Sequence, residues 1–169
     1  MATVNDILTD ALDRVRESVH QVVEGLGPDD LAYRPDEEAN SIAWLVWHLT
    51  RVQDDHVADL IGSEQLWEAG GWAARFDLPF DDGATGYGQG PTEVDQVRPS
   101  AELLTGYYDA VHSATLSYLE TLSAEDLDKV VDERWDPPVT LGVRLVSVVN
   151  DCTQHVGQAA YLRGLVERR

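Results

Sequence analysis

Residues 40–62 read NSIAWLVWHLTRVQDDHVADLIG. Asn40-Ser41 is a good N-cap pair, because a short polar side chain can accept from the free amides of a first helical turn. Behind it Ile42, Leu45, Leu49, Val52, His56 and Leu60 recur at steps of three and four, and Gly62 closes the run. That is the period of an amphipathic helix with one apolar stripe. Three other segments repeat it. One runs through Val4, Leu8, Leu12, Val15, Val19, Val22 and Leu26 to the Gly25/Gly27 pair. Another opens at Pro99-Ser100 and carries Leu104, Tyr107, Val111, Tyr118 and Leu122. The last begins near Leu141 and carries Leu145, Val148, Val149, Cys152, Val156 and Ala159. Four such stripes can be hidden only against one another, so the expected fold is an all-α four-helix bundle, one domain over residues 1–169.

The connections differ in character. The first, GPDDLAYRPDEEA, is polar and broken by Pro28 and Pro35. The second, roughly residues 63–99, holds Trp67, Trp72, Phe76, Phe80 and Tyr87 among many glycines. A structureless loop of that length is uncommon in a compact domain, so it is expected to fold over the bundle, to plug its end or to make a homodimer contact. The third starts with Ser123-x-x-Asp126, close to a capping box, and ends at Pro137-Pro138. Val130-Val131 and Val139-Thr140 are the one candidate strand pair.

Charge narrows the function classes. The chain has 169 residues, 31 Asp+Glu against 12 Lys+Arg, and a formal net charge of −19. Nucleic-acid affinity comes largely from cations that displace phosphate counterions, so no nucleic-acid partner is expected. An anionic membrane surface is disfavoured for the same reason. No stretch approaches a membrane span, and MATVNDILTDALDRVRESV lacks a basic region followed by an apolar run. A cytoplasmic protein is therefore expected. Lys129 is the only lysine beside eleven arginines, which points to a high-GC bacterium, with a halophile as the rival explanation. Cys152 is alone, so neither a disulfide framework nor a cysteine zinc motif exists.

Chemistry concentrates on the histidines. His20 and His112 read as surface or satisfied core. Asp151 and His155 are i and i+4 in the fourth helix, so both leave one face one turn apart, the spacing at which two side chains can chelate an ion. They lie on the flank of the apolar stripe, with Arg144, Ser147 and Gln158 nearby. On the second helix His48 occupies a comparable flank with Trp44, Val52 and Asp55, while His56 lies nearer the stripe centre. Facing flanks could gather His48, Asp151 and His155 around one ion, and a triad containing His56 is an alternative. One carboxylate and two imidazoles suit Zn²⁺, Ni²⁺ or Fe²⁺, and three protein ligands leave a position open for chemistry. A di-iron bundle would need Glu-x-x-His pairs, and a serine hydrolase G-x-S-x-G; the chain has neither. Cys152 falls within a core stripe, so it is not expected to be a nucleophile.

The stretch DDLAYRPDEEANSIAWLVWHLTRVQDDHV (residues 29–57), followed by VVNDCTQHVGQAAYLRG (148–164), resembles the DinB-like metal-dependent superfamily. The likeness is greatest to its actinobacterial mycothiol-dependent S-transferases, a branch that includes the N-terminal domain of mycothiol-dependent maleylpyruvate isomerase. The resemblance implies a bundle in up-down-down-up order with one divalent metal, Zn²⁺ first and Ni²⁺ or Fe²⁺ as alternatives. It places His48 and His155 as the first and last ligands. It puts Asp151 where that branch has Glu and many relatives have His. Gln158 and Arg163 match residues that recur in the family, and Arg163, near the centre of its stripe, is expected to pair with a buried acid.

The implied function is a metal-dependent thiol transferase. A low-molecular-weight thiol, mycothiol by the resemblance, would be held as a metal-bound thiolate and attack an electrophilic small molecule, a detoxification chemistry. Reversible addition would permit isomerisation, and hydrolysis is a further activity open to such a site. Trp44, Asp55, His56 and Gln158 are expected to line the mouth, since they share or border the ligand flank. The alternative is a non-catalytic, metal-stabilised bundle that binds a small molecule or a protein.

Overall fold

Thr3, Ser41, Ser100 and Thr140 each stand immediately before a long helix, and each hydroxyl accepts from a backbone amide of the first turn. Such caps satisfy donors that a helix start would otherwise leave unpaired. The computed structural model describes residues 3–169. The four helices so started are α1 (Val4–Val23), α3 (Ile42–Ile61), α7 (Ala101–Leu119) and α8 (Leu141–Val166), with a single turn, α2 (Pro28–Leu31), after the first. Between α3 and α7 lie α4 (Leu66–Ala69), α5 (Trp72–Phe76) and α6 (Pro91–Gln96). A 3₁₀ turn (Ala124–Asp128) and two short strands, β1 (Val130–Asp132) and β2 (Val139–Thr140), precede α8. The strands pair antiparallel, Val130 opposite Thr140, and the turn starts on the Ser123/Asp126 capping box.

Cross-helix bonds fix the topology. Both α1 and α3 pack against α7 and α8, so α1 lies diagonal to α3 and α7 diagonal to α8, while α3 and α7 are neighbours. Asn5 at the start of α1 donates to the Leu119 and Leu122 carbonyls at the end of α7, so these two are antiparallel. Arg163 near the end of α8 donates to the Gln21 and Glu24 carbonyls at the end of α1, so those two are parallel. Arg144 near the start of α8 donates to Asp59 near the end of α3. The order is therefore up-down-down-up.

Two expectations change. The second helix is not amphipathic over its first half, since every residue from Ser41 to Asp54 is buried. The reason is a third cover besides α7 and α8. The second connection lays Trp67 against Trp47 and Tyr107, and Phe80 against Trp47. It is pinned from below by Asp54, which accepts from the Leu66 and Trp67 amides and the Tyr107 hydroxyl. Its aromatics thus fold over the bundle. Arg163 also departs from expectation: its acidic partner, Glu167, is exposed. The guanidinium bonds the carbonyls that end α1, which have no helical partner of their own. Among the described residues, no helix is long and apolar enough to cross a membrane.

Candidate metal centre

The antiparallel run of α3 and α8 sets the second turn of α3 beside the middle of α8. His48, Asp151 and His155 meet there, each offering one ligand atom, and these atoms lie within 4.8 Å of one another. The two imidazoles stand edge to face with centroids 4.8 Å apart. His155 Nε2 lies 3.5 Å from Asp151 Oδ1. His48 is buried and the other two are half-buried.

The free ring nitrogens are fixed by what the other nitrogens bond. His48 Nδ1 is 2.5 Å from the Thr85 carbonyl. A carbonyl only accepts, so Nδ1 carries the proton and Nε2 is the free lone pair. His155 Nδ1 lies 3.1 Å from Gln158 Oε1, which makes the same assignment. Imidazole anchored through one nitrogen and bare at the other is the usual state of a metal-ligating histidine. Burial lowers the His48 pKa, against the Thr85 bond that raises it, which favours the neutral ring. The His155 pKa is raised, chiefly by Asp151, whose carboxylate faces Nε2 at 3.5 Å and favours a second proton there; a cation would take that proton's place.

Asp151 Oδ2 is buried and has no hydrogen-bond partner, alone among the carboxylate oxygens of the described residues. A buried carboxylate oxygen without a partner is costly. The Nε2 atoms of the two imidazoles and a carboxylate oxygen of Asp151 form a donor set that a borderline-soft divalent cation satisfies, so the residues present fit such a metal.

Four residues of the second connection complete the surroundings. Gly86 sits at φ +102°, and a Cβ there would come within 2.6 Å of His48 Nδ1 and 3.0 Å of the Trp44 ring. Only glycine fits. Tyr87 stands edge-on to the His48 ring at 5.3 Å. Trp44 stacks on a face of that ring at 4.6 Å, and its Nε1 donates to Gln89 Oε1. The Thr85 carbonyl holds Nδ1.

Of the residues expected to line the mouth, Trp44 and Gln158 touch a candidate ligand directly. Asp55 and His56 do not. Asp55 accepts from Gln65, and His56 Nδ1 accepts from Arg144 at 3.3 Å. Both face a groove of about 490 Å³ that also takes in Asp59, Trp135, Arg144 and Ser147. At the other end of the seam, Leu45, Gln154, Gly157, Gln158 and Tyr161 line a groove of about 620 Å³. The three candidate ligands lie between the two along both helices. Cys152 is fully buried, and burial pushes its thiol pKa up, so it supplies no nucleophile.

Sequence reasoning did not find Thr85, Gly86 or Gln89, and singled out Tyr87 only as one of the aromatics of the second connection. Gly86-Tyr87-Gly88, an aromatic between two glycines, could have marked the segment. Thr85 contributes only its main chain, which residue type does not betray.

A family model described as mycothiol-S-transferase matches residues 7–168. A crystal structure described as that of the conserved protein of locus from Enterococcus faecalis superposes with a TM-score of 0.93. It is 32% identical, over 100% of this chain and 100% of that one. Comparison with curated proteins gives no match.

Proposed function

The chain belongs to the mycothiol-S-transferase family, and from that premise we propose that it is a metal-dependent transferase joining a low-molecular-weight thiol to an electrophilic small molecule. The observation that carries this is the buried, unpartnered Asp151 Oδ2 beside two imidazoles anchored through Nδ1. A divalent cation held by His48, Asp151 and His155 would favour ionisation of a coordinated thiol, whose free pKa is about 8.5, at neutral pH. The overall reaction forms a carbon–sulfur bond, and the thiol proton and the leaving group depart to solvent.

The chain's own groups prepare for that step. Thr85 and Gln158 hold the two imidazoles in the tautomer that can bind a metal. Trp44 and Tyr87 cover His48 on two sides and keep water from it. The two grooves give the thiol and its electrophile separate approaches along the α3/α8 seam. Mycothiol is the thiol to test first and Zn²⁺ the metal.

The test is His48→Ala against wild type. Metal content should fall to background, and conjugation of mycothiol to a bimane electrophile should be lost, with the circular dichroism unchanged. A wild-type protein that is metal-free as purified and melts at the same temperature with and without Zn²⁺ would overturn the metal reading. A second reading, a metal-stabilised bundle that binds without catalysing, draws on the burial of His48, 3% exposed. It would show as Zn²⁺-dependent stabilisation with no thiol consumed from a panel of thiols.

A further inference from the structure

Arg51 is 0% exposed, a buried cation on α3 one turn after His48. Its Nε donates to the Ala84 carbonyl and its Nη2 to the Asp82 carbonyl, both at 3.0 Å. Its Nη1 donates to Gln65 Oε1 at 2.6 Å and lies 3.8 Å from Asp54 Oδ2. The guanidinium also sits over the Trp67 ring. The carbonyl that follows the two it grips is that of Thr85, the acceptor for His48 Nδ1. Trp44, His48 and Arg51 therefore stand at i, i+4 and i+7 on one face of α3, and all three bond the segment 82–89.

We propose that Arg51 is a positioning residue of the metal centre, acting through the 82–85 segment to hold the Thr85 carbonyl on His48 Nδ1. The inference rests on the metal reading above for its purpose but not for its geometry. The anchor matters because the chain just beyond Thr85 is easily turned. Gly86 and Gly88 both adopt positive φ, and the larger freedom of glycine lets the chain swing about them. The planar fork of arginine grips two carbonyls at once; a lysine ammonium is a single point that cannot reproduce this. Without the grip, His48 Nδ1 loses its acceptor, and the ring is free to put the proton on Nε2. That tautomer has no lone pair at the nitrogen needed for a metal.

The test uses the full chain. Long-range ¹H–¹⁵N spectra of metal-free protein report which ring nitrogen of His48 carries the proton, and competition with a chelator gives the Zn²⁺ dissociation constant. Wild type should show the proton on Nδ1. Arg51→Lys, which keeps the charge beside Asp54, should show mixed tautomers and bind Zn²⁺ about 10–100-fold more weakly, the usual cost of losing a partner behind a ligand. Gly86→Ala should do the same by another route, because its Cβ displaces the segment while Arg51 and Asp54 remain. Val22→Ala, a core truncation away from the segment, should lower the melting temperature without changing the tautomer or the affinity.

Arg51→Lys that keeps the Nδ1 proton and wild-type affinity would overturn the proposal. If that variant fails to fold, a folded Gly86→Ala with wild-type tautomer and affinity would overturn it instead. An equal loss in Val22→Ala would overturn it too, by making the effect one of general stability. If wild type binds no Zn²⁺, the metal reading fails alone, and the tautomers of the metal-free variants still decide the role of Arg51.

Discussion

Asp151 turns one carboxylate oxygen toward His155 and buries the other without a partner. An unsatisfied buried group of this kind costs on the order of 1–3 kcal/mol. We predict that metal-free Asp151→Ala melts no lower than metal-free wild type, since the truncation removes that cost. Zn²⁺ should raise the melting temperature of wild type by mass action and leave that of Asp151→Ala unchanged. Differential scanning fluorimetry with and without Zn²⁺ reads both outcomes; a variant still stabilised by Zn²⁺ would remove Asp151 from the ligand set. At this scale the sequence was legible where chemistry follows residue type and spacing. The i, i+4 spacing put Asp151 and His155 on one face, where they could chelate an ion or simply pair with each other. His48 needed the facing-flank argument, and the choice between it and His56 lay with the packing. Arg144 decides that contrast: it occupies His56 Nδ1, whereas His48 is held from behind by Thr85.

The helices were legible because each carries its own start signal and its own stripe. Ser41 illustrates the point: its hydroxyl caps α3 by accepting from the Trp44 amide at 3.1 Å, one turn before His48. Ser41→Ala should cost about 1 kcal/mol in urea unfolding, the usual value of a lost N-cap, and Ser41→Thr should retain most of it. Identical unfolding midpoints for wild type and Ser41→Ala would show that the cap contributes nothing. The short elements were not legible. The α4, α5 and α6 helices are four to six residues long, too short to display a helical period. They are held from outside, by Asp54 accepting from two amides of α4 and by Trp67, Trp72 and Phe76 packing on Tyr107. The burial of Arg51 and Gln53 on α3 was hidden for the same reason. A helix looks amphipathic in sequence until the segment that covers its polar side is in place.

For the molecule as a whole, the pH dependence of stability should carry a histidine contribution remote from the metal centre. His112 on α7 is buried, which lowers its pKa, while Asp13 on α1 accepts or shares a proton at its Nε2 and opposes the shift. A histidine with a lowered folded-state pKa is protonated more readily in the unfolded chain. Its contribution is therefore fully present above the unfolded value of about 6.5 and is lost as the pH falls below it. Wild type should lose more melting temperature between pH 7.5 and pH 5.5 than His112→Phe, which cannot titrate; parallel losses would refute this. Sequence by itself determined the four helices, the strand pair before the last one, and the residue types able to bind a metal. Each of these is written in local periodicity, capping chemistry or i, i+4 spacing. Only the tertiary structure decided which histidine joins Asp151 and His155, and that a main-chain carbonyl from a distant loop sets its tautomer. It also decided that an arginine on α3 grips that loop. Those are contacts between residues far apart in the chain, and they exist only once the bundle and its covering segment have closed on one another.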